Sequence, residues 1–196
     1  VTAAIFELEK YKDLPLWAQV LLAARMARRS ALALPEADSG VRTALLEGCD
    51  ALEWCTRNAR APLSPAAEPA DVRDRLLRAK RAQPTARSRG AACAFEAAAD
   101  AAAAAEASLD FSAAETACSN SAWNAIAHSS AAHGMTPLQT RILLAADFDL
   151  LRFSCAESRV GRYDALPSDV LGRLIPARAP EMAPAREADD PTGGAR

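Results

Sequence analysis

The stretch SAAETACSNSAWNAIAHSSAAHGMTPLQ, Ser112 to Gln139, holds two helix starts and one helix stop. Ser112 followed by Glu115 has the spacing of a capping box, in which side chain and backbone exchange hydrogen bonds at a helix N-terminus. Gly134 stands where a C′ glycine belongs. Thr136-Pro137-Leu138-Gln139 then forms a second box, with Pro at the first helical position. A helix over 112–133 is expected to turn directly into another running to about Glu157. A connection this short makes the two antiparallel neighbours. In the second helix, Ile142, Leu143, Ala146, Leu150 and Phe153 are expected inward.

The same punctuation continues upstream. Residues 91–107 contain 12 alanines, and that propensity predicts a helix from about residue 85–88 to Ser108. Val41, Leu45, Gly48, Leu52, Cys55 and Ala59 repeat at steps of four and three, a narrow apolar seam over 41–59. Asp13 is expected to cap a helix over 14–32. There Trp17, Val20, Leu21, Ala24, Ala27 and Ala31 face inward, and Arg25, Arg28 and Arg29 mark the wet side. A basic helix over 70–82 and a short turn at 168–174 complete the set. Residues 177–196 offer almost nothing to bury.

Composition closes the choice of class. Alanine makes up 49 of 196 residues, whereas Val, Ile and Thr number 6, 4 and 8, too few for a sheet protein. No run of 18 apolar residues exists to cross a membrane. The expected fold is all-α: a single-domain antiparallel bundle of five to six helices. Its inner pair is alanine-rich, with a 1–12 arm, a 13–175 bundle and a disordered 176–196 tail.

The formal charge of −2 gives no global field toward nucleic acid or a membrane. The 51 residues from 90 to 140 contain no Lys or Arg, while residues 61–90 carry a net +4 (seven basic, three acidic). DNA contact through Arg73–Arg89 would need a partner helix that the sequence does not offer, so nucleic acid is not an expected partner. Arg outnumbers Lys 20 to 3, which with the alanine content suits a GC-rich, bacterial genome. Five cysteines, an odd number without a CxxC pair, read as free and buried in a reducing cytoplasm. The start Val1–Lys12 lacks the pattern of a signal peptide.

No phosphate-loop, dinucleotide, nucleophile-elbow or zinc motif is present, so no catalytic residue, cofactor or metal is expected. Neither His has Glu three residues before it, as a di-iron bundle would require. One constellation stands out. Thr116, Asn120, Asn124 and His128 follow at steps of four and share a helix face. Their helix carries one charge, Glu115, assigned here to the cap. A helix this poor in charge is expected to be substantially buried, its amides satisfied within a polar layer.

If a ligand site exists, Asn120, Asn124 and His128 are its candidates, with Asp147 as the acid best suited to proton transfer. Glu96, Asp100 and Asp149 are further acids within the bundle. A salt bridge from Asp147 to Arg25, Arg141 or Arg152 is the structural alternative. Trp54 with Arg57 is the candidate interface anchor.

In texture, alanine-rich helices with Arg and scattered Trp resemble helical proteins of GC-rich bacteria, some of them toxin-immunity proteins. No motif carries that likeness, and no residue role is transferred. The function expected is a non-enzymatic, cytoplasmic protein-interaction module of adaptor, regulatory or immunity type. The alternative is a small-molecule- or metal-binding bundle, as a binding protein or an enzyme, with its polar site on helix 112–133.

Overall fold

The computed structural model describes residues 8–35, 39–58, 86–106, 111–133 and 137–172. Among these residues every regular element is a helix. They are α1 (Leu8–Tyr11), α2 (Leu16–Leu32), α3 (Ser39–Arg57), α4 (Ala86–Glu106), α5 (Phe111–His133), α6 (Pro137–Glu157) and α7 (Ser168–Gly172). The basic helix expected over 70–82, the Gly134 stop, Thr136 and the tail expected over 176–196 lie outside the described residues.

Of the seam expected over 41–59, Val41, Leu45, Gly48, Leu52 and Cys55 are all buried in α3, and Ala59 lies outside the described residues. Alanine in α4 does what its small size allows. It forms the core wall with Phe95, the one large side chain in a row that includes Ala91, Ala94, Ala98, Ala101 and Ala102. Gly90 shows how close the approach is. A Cβ built there would lie 3.0 Å from the Ala132 backbone nitrogen and 3.1 Å from its Cα. The start of α4 thus lies against the end of α5, so the two run antiparallel with backbones nearly touching.

The helix buried deepest is α2, with 15 of its 17 residues buried. Arg25 and Arg29, expected on the wet side, are 5% and 8% exposed. Carboxylates on neighbouring helices explain the difference, since a buried charge is tolerated when it is paired. Arg28, half-buried, reaches Asp50 and Glu53 on α3.

The start of α2 also differs from expectation. Its N-cap position is Pro15, with no side-chain cap, so Asp13 does not cap it. Instead Leu16 N–H donates to the Arg162 carbonyl at 2.8 Å, a tertiary partner for an orphan donor. Leu166 N–H likewise donates to the Thr56 carbonyl at 2.8 Å. The 158–167 segment is therefore tied to the ends of both α2 and α3. Tyr11, placed by sequence in an N-terminal arm, is fully buried, and its hydroxyl donates to the Gln19 carbonyl at 2.6 Å.

In α6 the inward face is not the expected one. Leu144, Phe148, Leu151 and Cys155 are buried, while Ile142 is 41% and Phe153 60% exposed, Ala146 is exposed and Leu150 half-buried. The helix carries two apolar stripes, and Asp147 lies on the one that turns inward. A carboxylate in that stripe argues for the other face until the arginines of α2 are taken into account.

Candidate functional site

The face expected to be buried is the one that meets solvent. Thr116, Asn120, Asn124 and His128 are all exposed, together with Ser112, Ala113, Ala117 and Ala127. The buried face of α5 is carried by Cys118, Ser119, Ala122, Ala125, Ile126, Ser129, Ala132 and His133. Both faces of this helix are small and nearly uncharged, so composition could not separate them. The buried polar layer exists but uses other residues. Gln19 Nε2 donates to the Leu14 carbonyl at 3.0 Å, and Ser119 Oγ bonds Gln19 Oε1 at 2.9 Å. Ser129 Oγ donates to the Ala125 carbonyl of its own helix at 2.8 Å.

Glu115 does not close a capping box. Helix α5 begins at Phe111, so Ser112 is already inside it. Glu115 Oε1 accepts from Arg162 Nε at 2.8 Å and from Tyr163 Oη at 2.9 Å. These bonds, first among them the one from Arg162, hold the Glu115 carboxyl below the usual range. With Arg162 both partners of the bond are ionised, whereas a backbone N–H at a cap would be a neutral donor. The only charge on α5 is thus committed to the 158–167 segment.

Asp147 is buried and faces α2. Arg25 Nε and Nη2 donate to its two oxygens at 3.2 and 3.3 Å, and Arg29 Nη1 donates to Oδ2 at 2.5 Å. The expected salt bridge to Arg25 is present, joined by Arg29, which the sequence reading did not connect to it. His133 lies beside this cluster, 3% exposed, and neither ring nitrogen has a hydrogen-bond partner. Burial is the main cause that pushes its pKa down to about 4. The Arg29 backbone opposes the shift and the Arg29 charge adds to it. At neutral pH His133 is an uncharged wedge.

The four candidate ligand residues therefore do not converge. Asn120, Asn124 and His128 look out from α5, and Asp147 is locked against α2. The chain matches no family model, no curated protein and no solved structure at a significant level. Geometry alone carries the functional reading.

Among the described residues no cluster of three or more His, Cys, Asp or Glu is placed to hold a metal ion. No described helix is long and apolar enough to cross a membrane. All five cysteines are free, and four are buried. Desolvation holds the Cys49 and Cys118 thiols up at about 12, and Cys55 and Cys155 at about 11, which leaves them unreactive.

Of the interface candidates, Trp54 is half-buried and packed on the core, and Arg57 is exposed at the end of α3. The sequence reading missed a second outward apolar group, Leu138 (50%), Ile142 and Phe153 on α6. The signal was there as the second stripe, but its direction was assigned inward.

Proposed function

We propose that this chain is a non-enzymatic protein-interaction module that receives a helix of its partner along the outer face of α5. The observation that supports this reading is the chemistry of that face. Over 112–128 the exposed positions are Ser, Ala, Thr, Asn and His, with no Lys, Arg, Asp or Glu among them. A helix face meant for water is ordinarily studded with charge. Small side chains at 113, 116, 117, 120, 124 and 127 let a second helix come near, and the two amides supply directional bonds across the contact. Separately, α6 exposes apolar side chains of the kind that marks interaction surfaces. An adaptor, regulatory or immunity-type role in a bacterial cytoplasm fits this surface and the free cysteines.

The test is site-specific photocrosslinking in the native cell, with the crosslinker placed at Asn124 and, as control, at Arg87 of α4. A discrete crosslinked species at Asn124 alone is expected. Ala117→Arg with Asn124→Arg should abolish capture while leaving the thermal midpoint unchanged. Equal yields at both positions, or capture that survives the double substitution, would overturn the reading.

A further inference from the structure

A cleft of about 410 Å³ opens between the turn that precedes α2 and the last two turns of α6, lined by Asp13, Leu14, Pro15, Arg152, Cys155, Ala156, Arg159 and Val160. Its volume falls in the range of small-molecule sites. On α6, Arg152, Cys155 and Ala156 share one helix face, and Arg159 and Val160 follow just past its end.

The end of α6 is built in an unusual way. Val160 N–H donates to the Cys155 carbonyl at 2.9 Å, the six-to-one bond of a Schellman cap. This places Arg159 at the left-handed C′ position with φ 51°, the only positive φ at a non-glycine among the described residues. Glycine or asparagine normally fills that position, because a Cβ there crowds the following carbonyl. A cap alone would be served better by glycine. The side chain of Arg159 therefore needs a reason of its own, and strain of this kind gathers at binding sites.

The cleft supplies that reason. Among the described residues the Arg159 guanidinium has no ion pair, and Arg152 reaches only the exposed Asp149 at 3.7 Å. The adjoining start of α2 has no side-chain cap, and its Leu16 N–H is taken by the Arg162 carbonyl, so the positive charge of the cleft comes from the two arginines. At the C-terminus of α6, Ser158, Arg159 and Val160 N–H groups occupy the Ser154, Ala156 and Cys155 carbonyls, which mutes the negative end. Pro15 and Val160, both half-buried, form an apolar wall over the fully buried Leu14. Asp13 at the rim brings the charge of the lining to +1, so one negative charge neutralises it.

We propose that this cleft binds a small monocarboxylate with an apolar body, its carboxylate held between Arg152 and Arg159 and its body against Pro15 and Val160. The site is separate from the outer face of α5 and does not depend on the interaction reading. Arg pairs with carboxylates through two parallel hydrogen bonds, which gives orientation as well as attraction.

The test is calorimetric titration of the full chain with benzoate, phenyl phosphate, inorganic phosphate and neutral benzamide. Benzoate is expected to bind saturably and at least tenfold tighter than the other three. Arg159→Gly should raise the thermal midpoint by relieving the left-handed residue and weaken benzoate at least tenfold. Arg159→Asn, which also tolerates that conformation, should do the same if the glycine variant fails to fold. Asp13→Asn should shift preference toward phenyl phosphate. Unsaturable benzoate binding, equal affinity for inorganic phosphate (an adventitious ion only), or an Arg159 variant that binds like the parent would overturn the proposal. So would a lower midpoint in both Arg159 variants.

Discussion

Helices α2 and α5 exchange the places their compositions suggest. With three arginines in 17 residues, α2 is nonetheless the most buried long helix. In its 23 residues α5 has no Lys or Arg and one carboxylate, yet a full face of it stands in solvent. The difference teaches that charge is excluded from a core only when it lacks a partner. Arg25 and Arg29 meet Asp147, 122 and 118 residues further along the chain. No such partner is needed to bury alanine, and the short, uncharged side chains of α5 suit either side.

The sharpest way to break this comparison is to remove the partner. Asp147→Ala should leave two guanidinium groups buried without their carboxylate and cost about 3–5 kcal/mol in urea unfolding. Replacing all three by apolar residues, Arg25→Met, Arg29→Met and Asp147→Leu, should restore most of that loss. A mild effect of Asp147→Ala alone would mean that water, rather than the ion pairs, satisfies α2.

A middle-sized effect is expected where the two helices come together at His133. Its folded pKa of about 4 lies below the ordinary imidazole value of 6.5, so the unfolded chain takes up protons first as pH falls. The stability contributed by keeping this ring neutral is complete above about pH 6.5 and is lost progressively toward pH 4, on the order of 3 kcal/mol. His133→Leu removes two buried nitrogens that lack partners. It should flatten the stability profile between pH 6.5 and 4 without destabilising the protein at pH 7. An unchanged profile would show that water reaches the ring.

The smallest effect belongs to the outer stripe. Asn120→Lys, Asn124→Lys or His128→Lys should each change stability by less than about 0.5 kcal/mol, as exposed substitutions do. Ala125→Lys, one residue beyond Asn124 but buried, should prevent cooperative folding. Similar losses at 124 and 125 would mean that both faces of α5 are covered in solution.

Much of this was legible in the sequence, and the exceptions share a cause. The extents of α5 and α6, the buried seam of α3 and the inward set Trp17, Val20, Leu21, Ala24, Ala27 and Ala31 of α2 were legible, because helix propensity and single stripes are local signals. The candidate site was legible only as a pattern. The spacing of Asn120, Asn124 and His128 placed them on one face, but the chemistry of neighbouring residues could not say which face looked outward. Glu115 looked like a cap because Ser112 stands three residues before it, and its real partners, Arg162 and Tyr163, lie 47 and 48 residues away. Arg152 stood out only as a possible partner of Asp147 and Arg159 not at all, since a cleft is made by two segments and neither announces it. An arginine where a C′ glycine belongs was the one visible hint.

The sequence by itself determined that the chain is helical and where its long helices run. Alanine content, capping residues and helical periodicity act within a few residues of each other. The tertiary structure decided which face of each helix became core. Where a helix offers two apolar stripes, as α6 does, or none that is distinct, as in α5, periodicity leaves its rotation about its own axis open. That rotation was set by contacts made between distant segments: Asp147 with Arg25 and Arg29, Glu115 with Arg162, and Gly90 against Ala132.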